Sequence, residues 1–191
     1  MQFNPENKFE NKELPPVIET VRVALLYHGK FLTLQKSADS KNPEAIELPG
    51  GKIDEIKGNT STLEEQKQAA IQEVQQETGI EINKLPIEKI DNFEIYFEAT
   101  DKNGIKKKYK RMIHLFLVRI PDSQELIPKI NQTLNEIGEP EDKHKTYTWI
   151  SPNTLINSVT ALQENPESGE KVYPLSRNSR HIKKLLTATG Y

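Results

Sequence analysis

Residues Leu48 to Ile80 read LPGGKIDEIKGNTSTLEEQKQAAIQEVQQETGI. The short apolar run Ile46 to Leu48 stops at Pro49-Gly50-Gly51, where two adjacent glycines reach backbone angles closed to other residues, so the chain turns sharply. After a polar loop, the pattern from Thr62 to Thr78 predicts a helix. Ser61 or Thr62 can cap it, with Glu64 and Glu65 each three residues on in capping-box position, and Gly79 is the natural stop. Leu63, Ala70, Ile71, Val74 and Thr78 form its less polar stripe, and Glu73, Gln76 and Glu77 lie on another side. Residues three and four apart on a helix meet on one face, so Glu73 and Glu77 can aim two carboxylates at one point with Gln76 beside them. Clustered anions call for a cation. Hard oxygen donors suit magnesium or manganese, neither a cysteine nor a histidine pair is present to favour zinc, and the Gly50-Gly51 turn can add a backbone carbonyl. The alternative reading of the same carboxylates is a solvated helix face.

Outward from this stretch the chain alternates strands and helices. Val17 to Tyr27 and Phe31 to Lys36 read as a hairpin turned at His28-Gly29-Lys30. Phe93 to Ala99 and Ile105 to Ile120 read as strands joined through Asp101 to Gly104, and Met112 to Val118 is apolar on both faces, as in a central strand. Residues 121 to 145 carry a weak helical pattern near Lys129 to Ile137. Thr146 to Ile150 predicts a strand bearing the only tryptophan, Ser151-Pro152 opens a helix, and a last helix runs from about Ser176 to Gly190. Together these predict an α/β fold with a central mixed sheet.

At 191 residues the chain suits one domain with one core, here 17–191, preceded by a flexible arm over 1–16. Twenty-six Lys and Arg against 28 Asp and Glu leave a formal charge of -2, so the overall field favours neither nucleic acid nor a membrane surface. The absence of cysteine removes disulfides, thiolate metal sites and thiol nucleophiles. No apolar run is long enough to span a bilayer, and the N-terminal MQFNPENKFENKELPP does not resemble a secretory signal, so a cytoplasmic protein without a membrane partner is the expectation.

LPGGKID, the helix with its Ala-Ala pair and QEVQQETGI together resemble the signature of the Nudix hydrolases. That signature runs G, five residues, E, seven residues, R-E-U-x-E-E-x-G-U, with U aliphatic. Counting back from Gly79 and Ile80, Glu77 matches the last glutamate of the box, Glu73 the glutamate of the R-E pair, Val74 the aliphatic and Glu64 the early glutamate. Gly51 matches the opening glycine and Asp54 the usual acidic residue three positions on, but 12 residues separate Gly51 from Glu64 where the pattern has five. Gln72 stands in place of the arginine and Gln76 in place of the first glutamate of the final pair.

The resemblance implies a Nudix-type α/β/α sandwich and hydrolysis of the diphosphate linkage in a nucleoside diphosphate derivative. It implies a divalent metal, Mg2+ or Mn2+ as substitute, held by Glu73, Glu77 and the Gly50 carbonyl. Glu73 and Glu77 would be catalytic. Some relatives use a later glutamate to deprotonate water, and Glu141 is the candidate here. Lys36 stands where many relatives end their second strand with a basic residue, and Lys36, Arg22 and Tyr147 are taken as substrate contacts. The partner is then a small nucleotide, with RNA and a second copy of the chain as lesser alternatives.

The basic run Lys106, Lys107, Lys108, Lys110 and Arg111 reads first as a solvated hairpin and second as a surface for phosphate or RNA. His114 reads as a core group and His144 as a loop group. Gln72 and Gln76 keep open a second class of function, a Nudix-fold nucleotide-binding or regulatory module with weak turnover.

Overall fold

In the computed structural model of the chain, the described residues are 16–37, 46–53, 60–100, 104–123, 126–128, 144–155, 184–187 and 189–190. The N-terminal arm, Asp54, the inserted loop, the helix expected near Lys129 to Ile137 and Glu141 lie outside them.

Six strands and one long helix follow in the order β1 (Val17–Tyr27), β2 (Lys30–Lys36), β3 (Ile46–Glu47), α1 (Leu63–Thr78), β4 (Ile87–Thr100), β5 (Lys106–Arg119) and β6 (His144–Ile150). The sheet is mixed, in the order β3-β2-β1-β5-β4, with β6 on β2. β1 and β5 run parallel from Val17↔Lys110 to Leu26↔Arg119, which accounts for the two-sided apolar character of β5, buried between β1 and β4. β4 is longer than its pattern predicts, β5 falls one residue short of its expected bounds at each end, and His144 opens a strand where a loop was expected.

The first hairpin forms, but its two strands soon part. Pairing is confined to Leu26↔Phe31 and Tyr27↔Lys30, next to the His28-Gly29 turn. Beyond that point β2 pairs with β3 through Leu34↔Glu47 and Gln35↔Ile46, while β1 turns to residues 49–53. Val23 N–H donates to the Pro49 carbonyl at 2.8 Å, Val21 N–H to that of Gly51 at 2.9 Å, and Ile53 N–H to that of Glu19 at 3.0 Å. The glycine turn is therefore wedged between the diverging strands and satisfied by their backbones.

Two apolar clusters sandwich the sheet. Val21, Val23, Leu25, Leu32, Phe116 and Val118 pack with Ala70 and Val74 of α1 on one side. Ala24, Phe31, Leu115, Leu117 and Ile150 pack on the other with Leu155, Leu185 and Leu186, which belong to helical residues 152–155 and 184–187. Alternation along β1 makes this division, since successive side chains of a strand point to opposite faces.

α1 begins as its sequence predicts. The Thr62 side chain accepts from the Glu65 amide and the Glu65 side chain from the Thr62 amide, a complete capping box, and Gly79 closes the helix at φ 66°. The buried stripe differs from the apolar reading, however. Leu63 is 49% exposed, whereas Gln66 and Glu77 are buried with Ala70, Val74 and Thr78. The inward stripe of α1 thus contains polar groups: Gln66 and Glu77 have partners far away in sequence, and the Thr78 hydroxyl donates to the Val74 carbonyl one turn back.

Candidate active site

Glu77 leaves the last turn of α1 and is 4% exposed. A carboxylate this deep has to be compensated, and the Gly50 amide donates to its Oε2 at 2.7 Å. One turn earlier, Glu73 lies directly against Gly51: a methyl group there would overlap the Glu73 carboxylate. Gly50 has φ +140°, and a methyl group on it would overlap the Val21 carbonyl of β1. The two glycines therefore do different work. Gly50 lets the backbone pass β1, and Gly51 leaves room for Glu73.

Six residues from four elements hold the start of α1 in place. Glu19 of β1 accepts from the Ser61 amide at 3.1 Å and from the Ser61 hydroxyl. Gln66 donates to the Ser61 carbonyl at 2.9 Å and accepts from Lys89 of β4 at 2.6 Å. His114 of β5 places Nε2 2.9 Å from Glu19 Oε2 and Nδ1 3.0 Å from Asn92 Oδ1. Burial pushes the His114 ring down and Lys89 adds to this, while Glu19 opposes it, so the ring sits below its ordinary pKa. Burial raises Glu19, but the Ser61 bonds and His114 outweigh it and hold the carboxyl below its ordinary value. A hydrogen-bonded network of this kind fixes the rotation of α1, and with it the aim of Glu73 and Glu77. His114 is a core group, as its sequence context suggested.

Glu47 of β3 is the second buried carboxylate. Lys36 Nζ lies 2.8 Å from its Oε1 and Arg22 Nη2 lies 3.5 Å from its Oε2. Arg22 and Lys36, singled out separately, thus meet at a residue that was not. Its signal in the sequence is weak: one acid inside the apolar run Ile46 to Leu48. Tyr147 is half-buried against the α1-side apolar cluster. The basic run divides, with Lys106 to Lys108 exposed and Tyr109 to Arg111 half-buried, so the solvated reading holds only for its first half.

A divalent ion at this turn calls for hard oxygen donors. Glu73 lies against Gly51 and Glu77 accepts from the Gly50 amide, which brings two carboxylates to the glycine turn, and no group of three His, Cys, Asp or Glu gathers among the described residues. Two carboxylates suit Mg2+, which keeps several waters and needs no complete protein cage. The residues fit.

The NUDIX domain family pattern matches residues 18–175. The chain belongs to the Nudix family. In Nudix terms the turn and α1 are the two halves of the box, and the seven inserted residues fall between them. No curated protein matches the chain. Among solved structures, the MutT protein from Methanosarcina mazei Go1 is similar in fold, with TM-score 0.55, 19% identity, and coverage of 93% of this chain and 98% of that one. The NUDIX domain of Shewanella oneidensis NrtR, solved with ADP ribose, gives TM-score 0.56 and 13% identity over 95% and 94% of the two chains. A bifunctional NMN adenylyltransferase/ADP ribose pyrophosphatase from Francisella tularensis, complexed with AMP and a Mn ion, gives 0.52 and 18% over 93% of this chain and 43% of that one. The Nudix fold is the common element. Among the described residues of this Nudix chain, no helix is long and apolar enough to cross a membrane.

Proposed function

We propose that this Nudix protein is a metal-dependent hydrolase that cleaves the diphosphate linkage of a nucleoside diphosphate derivative. The observation that carries the reading is the convergence of Glu73 and Glu77 on the Gly50-Gly51 turn. Glu73, Glu77 and the Gly50 carbonyl would hold Mg2+, or Mn2+ in its place. A divalent ion bound there supplies charge compensation for the diphosphate and lowers the pKa of a water. The chain's own part is positional. The Gly50 amide holds Glu77 in one orientation, the Ser61 network holds α1 against the sheet, and Lys36 and Arg22 offer positive charge to a phosphate. Glu73 and Glu77 are the catalytic candidates, and Glu141, outside the described residues, is the further candidate for activating water. Tyr147 remains a candidate substrate contact. The ADP ribose and AMP named with the Shewanella and Francisella structures support a nucleotide derivative as the substrate class.

A second reading is a nucleotide-binding module with weak turnover. The neutral amide of Gln76, where the box has a glutamate, favours it. The test is a screen of nucleoside diphosphate derivatives with Mg2+ and with Mn2+, scored by released phosphate or nucleotide. The hydrolase reading expects a turned-over substrate, loss of at least 100-fold in kcat for Glu73→Gln and Glu77→Gln, and retained folding in both. Turnover that persists in excess chelator rules it out, and tight nucleotide binding without turnover supports the module.

A further inference from the structure

The strand order ends at β4, which among the described residues pairs with β5 alone. For an edge it is a long strand, 14 residues without a proline and with no lysine after Lys89. Edge strands are commonly short, or blunted by Lys and Pro, because an open row of N–H and C=O groups invites another strand. A register shift between Lys89 and Asp91 interrupts the ladder, and beyond it the pairing with β5 is regular from Asp91↔Leu115 to Thr100↔Lys106. Within that stretch the two faces differ. Phe93, Ile95, Phe97 and Ala99 are half-buried on one, and Asn92, Glu94, Tyr96, Glu98 and Thr100 are exposed on the other, Tyr96 by 64%. The apolar row is braced from its own chain: Phe97 stacks on Tyr109 at 5.6 Å, and Lys184 Nζ lies 4.9 Å from the centre of the Phe93 ring.

Outward from Ile95 the strand is close to a palindrome: Phe93-Glu94-Ile95-Tyr96-Phe97 carries a phenylalanine two residues to either side of the isoleucine. A second copy laid antiparallel along this edge is related to the first by a two-fold axis, and that axis has to pass through a residue. An axis between two residues sets the apolar row against the polar one. Through Glu94 the axis sets that side chain against the partner's Glu94, and through Tyr96 it sets Glu94 against the partner's Glu98. Like charges directly opposite are destabilising. Through Phe97 the ladder is confined to residues 94–100, and through Phe93 it runs into the register shift after residues 91–95. Through Ile95 it spans 91–99 and sets Phe93 opposite the partner's Phe97, Glu94 opposite the partner's Tyr96, and Asn92 opposite the partner's Glu98. No like charges meet. Tyrosine and glutamate already associate here within one chain, where the Tyr96 hydroxyl donates to Glu94 at 3.3 Å.

We infer that the β4 edge is a homodimer interface, in which two copies of the chain pair antiparallel along residues 91–99 about a two-fold axis at Ile95 and form one continuous sheet. The contact uses the same surface on both copies, so it closes at two. None of its residues belongs to the Glu73 and Glu77 site, so it stands or falls independently of the hydrolase reading.

The test is sedimentation equilibrium of the full chain over a concentration series. Wild type dimerises. Tyr96→Glu, which sets two carboxylates opposite each other, weakens the dimer at least tenfold, and Tyr96→Lys, which sets opposite charges there, keeps or strengthens it. Ile127→Lys, at an exposed apolar residue outside the strand, stays within twofold of wild type. Tyr96 is exposed, so its variants keep the wild-type melting temperature. The chain has no cysteine, so single cysteines locate the axis. Ile95→Cys lies opposite itself, within the span that a disulfide bridges, and oxidises to a linked dimer on a denaturing gel. Phe97→Cys and Glu98→Cys, which face the partner's Phe93 and the partner's Asn92, stay unlinked. Amide exchange is an independent readout: protection of residues 91–99 rises with concentration in wild type and does not in Tyr96→Glu. A wild type that is monomeric up to its solubility limit, a dimer left intact by Tyr96→Glu, or Ile95→Cys that links no better than Phe97→Cys or Glu98→Cys overturns the interface. So does a dimer in which protection of 91–99 does not change with concentration.

Discussion

The Gly50 amide donates a 2.7 Å hydrogen bond to Oε2 of buried Glu77, joining the glycine turn to the last turn of α1. The two halves of the Nudix box thus meet through a backbone donor, and the position of that donor depends on the unusual φ of Gly50.

The two glycines should separate by substitution. Gly50→Ala places a methyl group against the Val21 carbonyl at φ +140°, with backbone on both sides, and should cost about 2 kcal/mol or more. Gly51→Ala meets only the end of the flexible Glu73 side chain, which can swing aside. Its melting temperature should stay within a few degrees of wild type while Mn2+ affinity falls at least tenfold, read by calorimetry. Wild-type metal affinity in Gly51→Ala would remove Glu73 from the metal site.

The capping box gives a stability test that is independent of activity. Thr62→Ala removes the acceptor for the Glu65 amide and one partner of the Glu65 carboxylate. The expected loss is about 1 kcal/mol, measured as a lower urea midpoint with an unchanged slope.

The network behind α1 makes stability depend on pH. The folded pKa of His114 lies below the ordinary 6.5, so as pH falls through that range the unfolded chain takes up the proton first. Stability from this group is fully present above pH 6.5 and drains away as pH falls toward the folded pKa. Glu19, depressed below 4.5, adds a loss of the same sign only at lower pH. His114→Gln should therefore flatten the dependence of unfolding free energy between pH 7 and 5 and leave the fall below pH 4.5. An unaltered slope above pH 5 would assign the acid sensitivity elsewhere.

Gln76→Glu restores the box glutamate three residues after Glu73. In a hydrolase with a thinned site, Mg2+ affinity should rise severalfold, with a faster rate at limiting metal and little change at saturation, because the gain lies in occupancy. A metal titration of hydrolysis in both proteins checks it. Unchanged or weaker affinity would mean that position 76 does not face the ion.

What could be read from the chain alone was what neighbours in sequence decide. Thr62 and Glu65 are three apart, Gly79 follows its helix directly, and Glu73 and Glu77 are one turn apart, so capping rules and helical period placed all of them. The two-sided apolar run of β5 likewise marked it as an inner strand. The tertiary structure decided the rest, because only folding brings distant groups within range of one another's charge. His114 meets Glu19 across 95 positions, Gly50 meets Glu77 across 27, and Arg111 joins Arg22 through a parallel ladder whose register no local pattern encodes. Periodicity scores Glu77 and Gln66 as surface residues since it weighs polarity alone, and they are buried because partners outside the helix, the Gly50 amide, Ser61 and Lys89, satisfy them there.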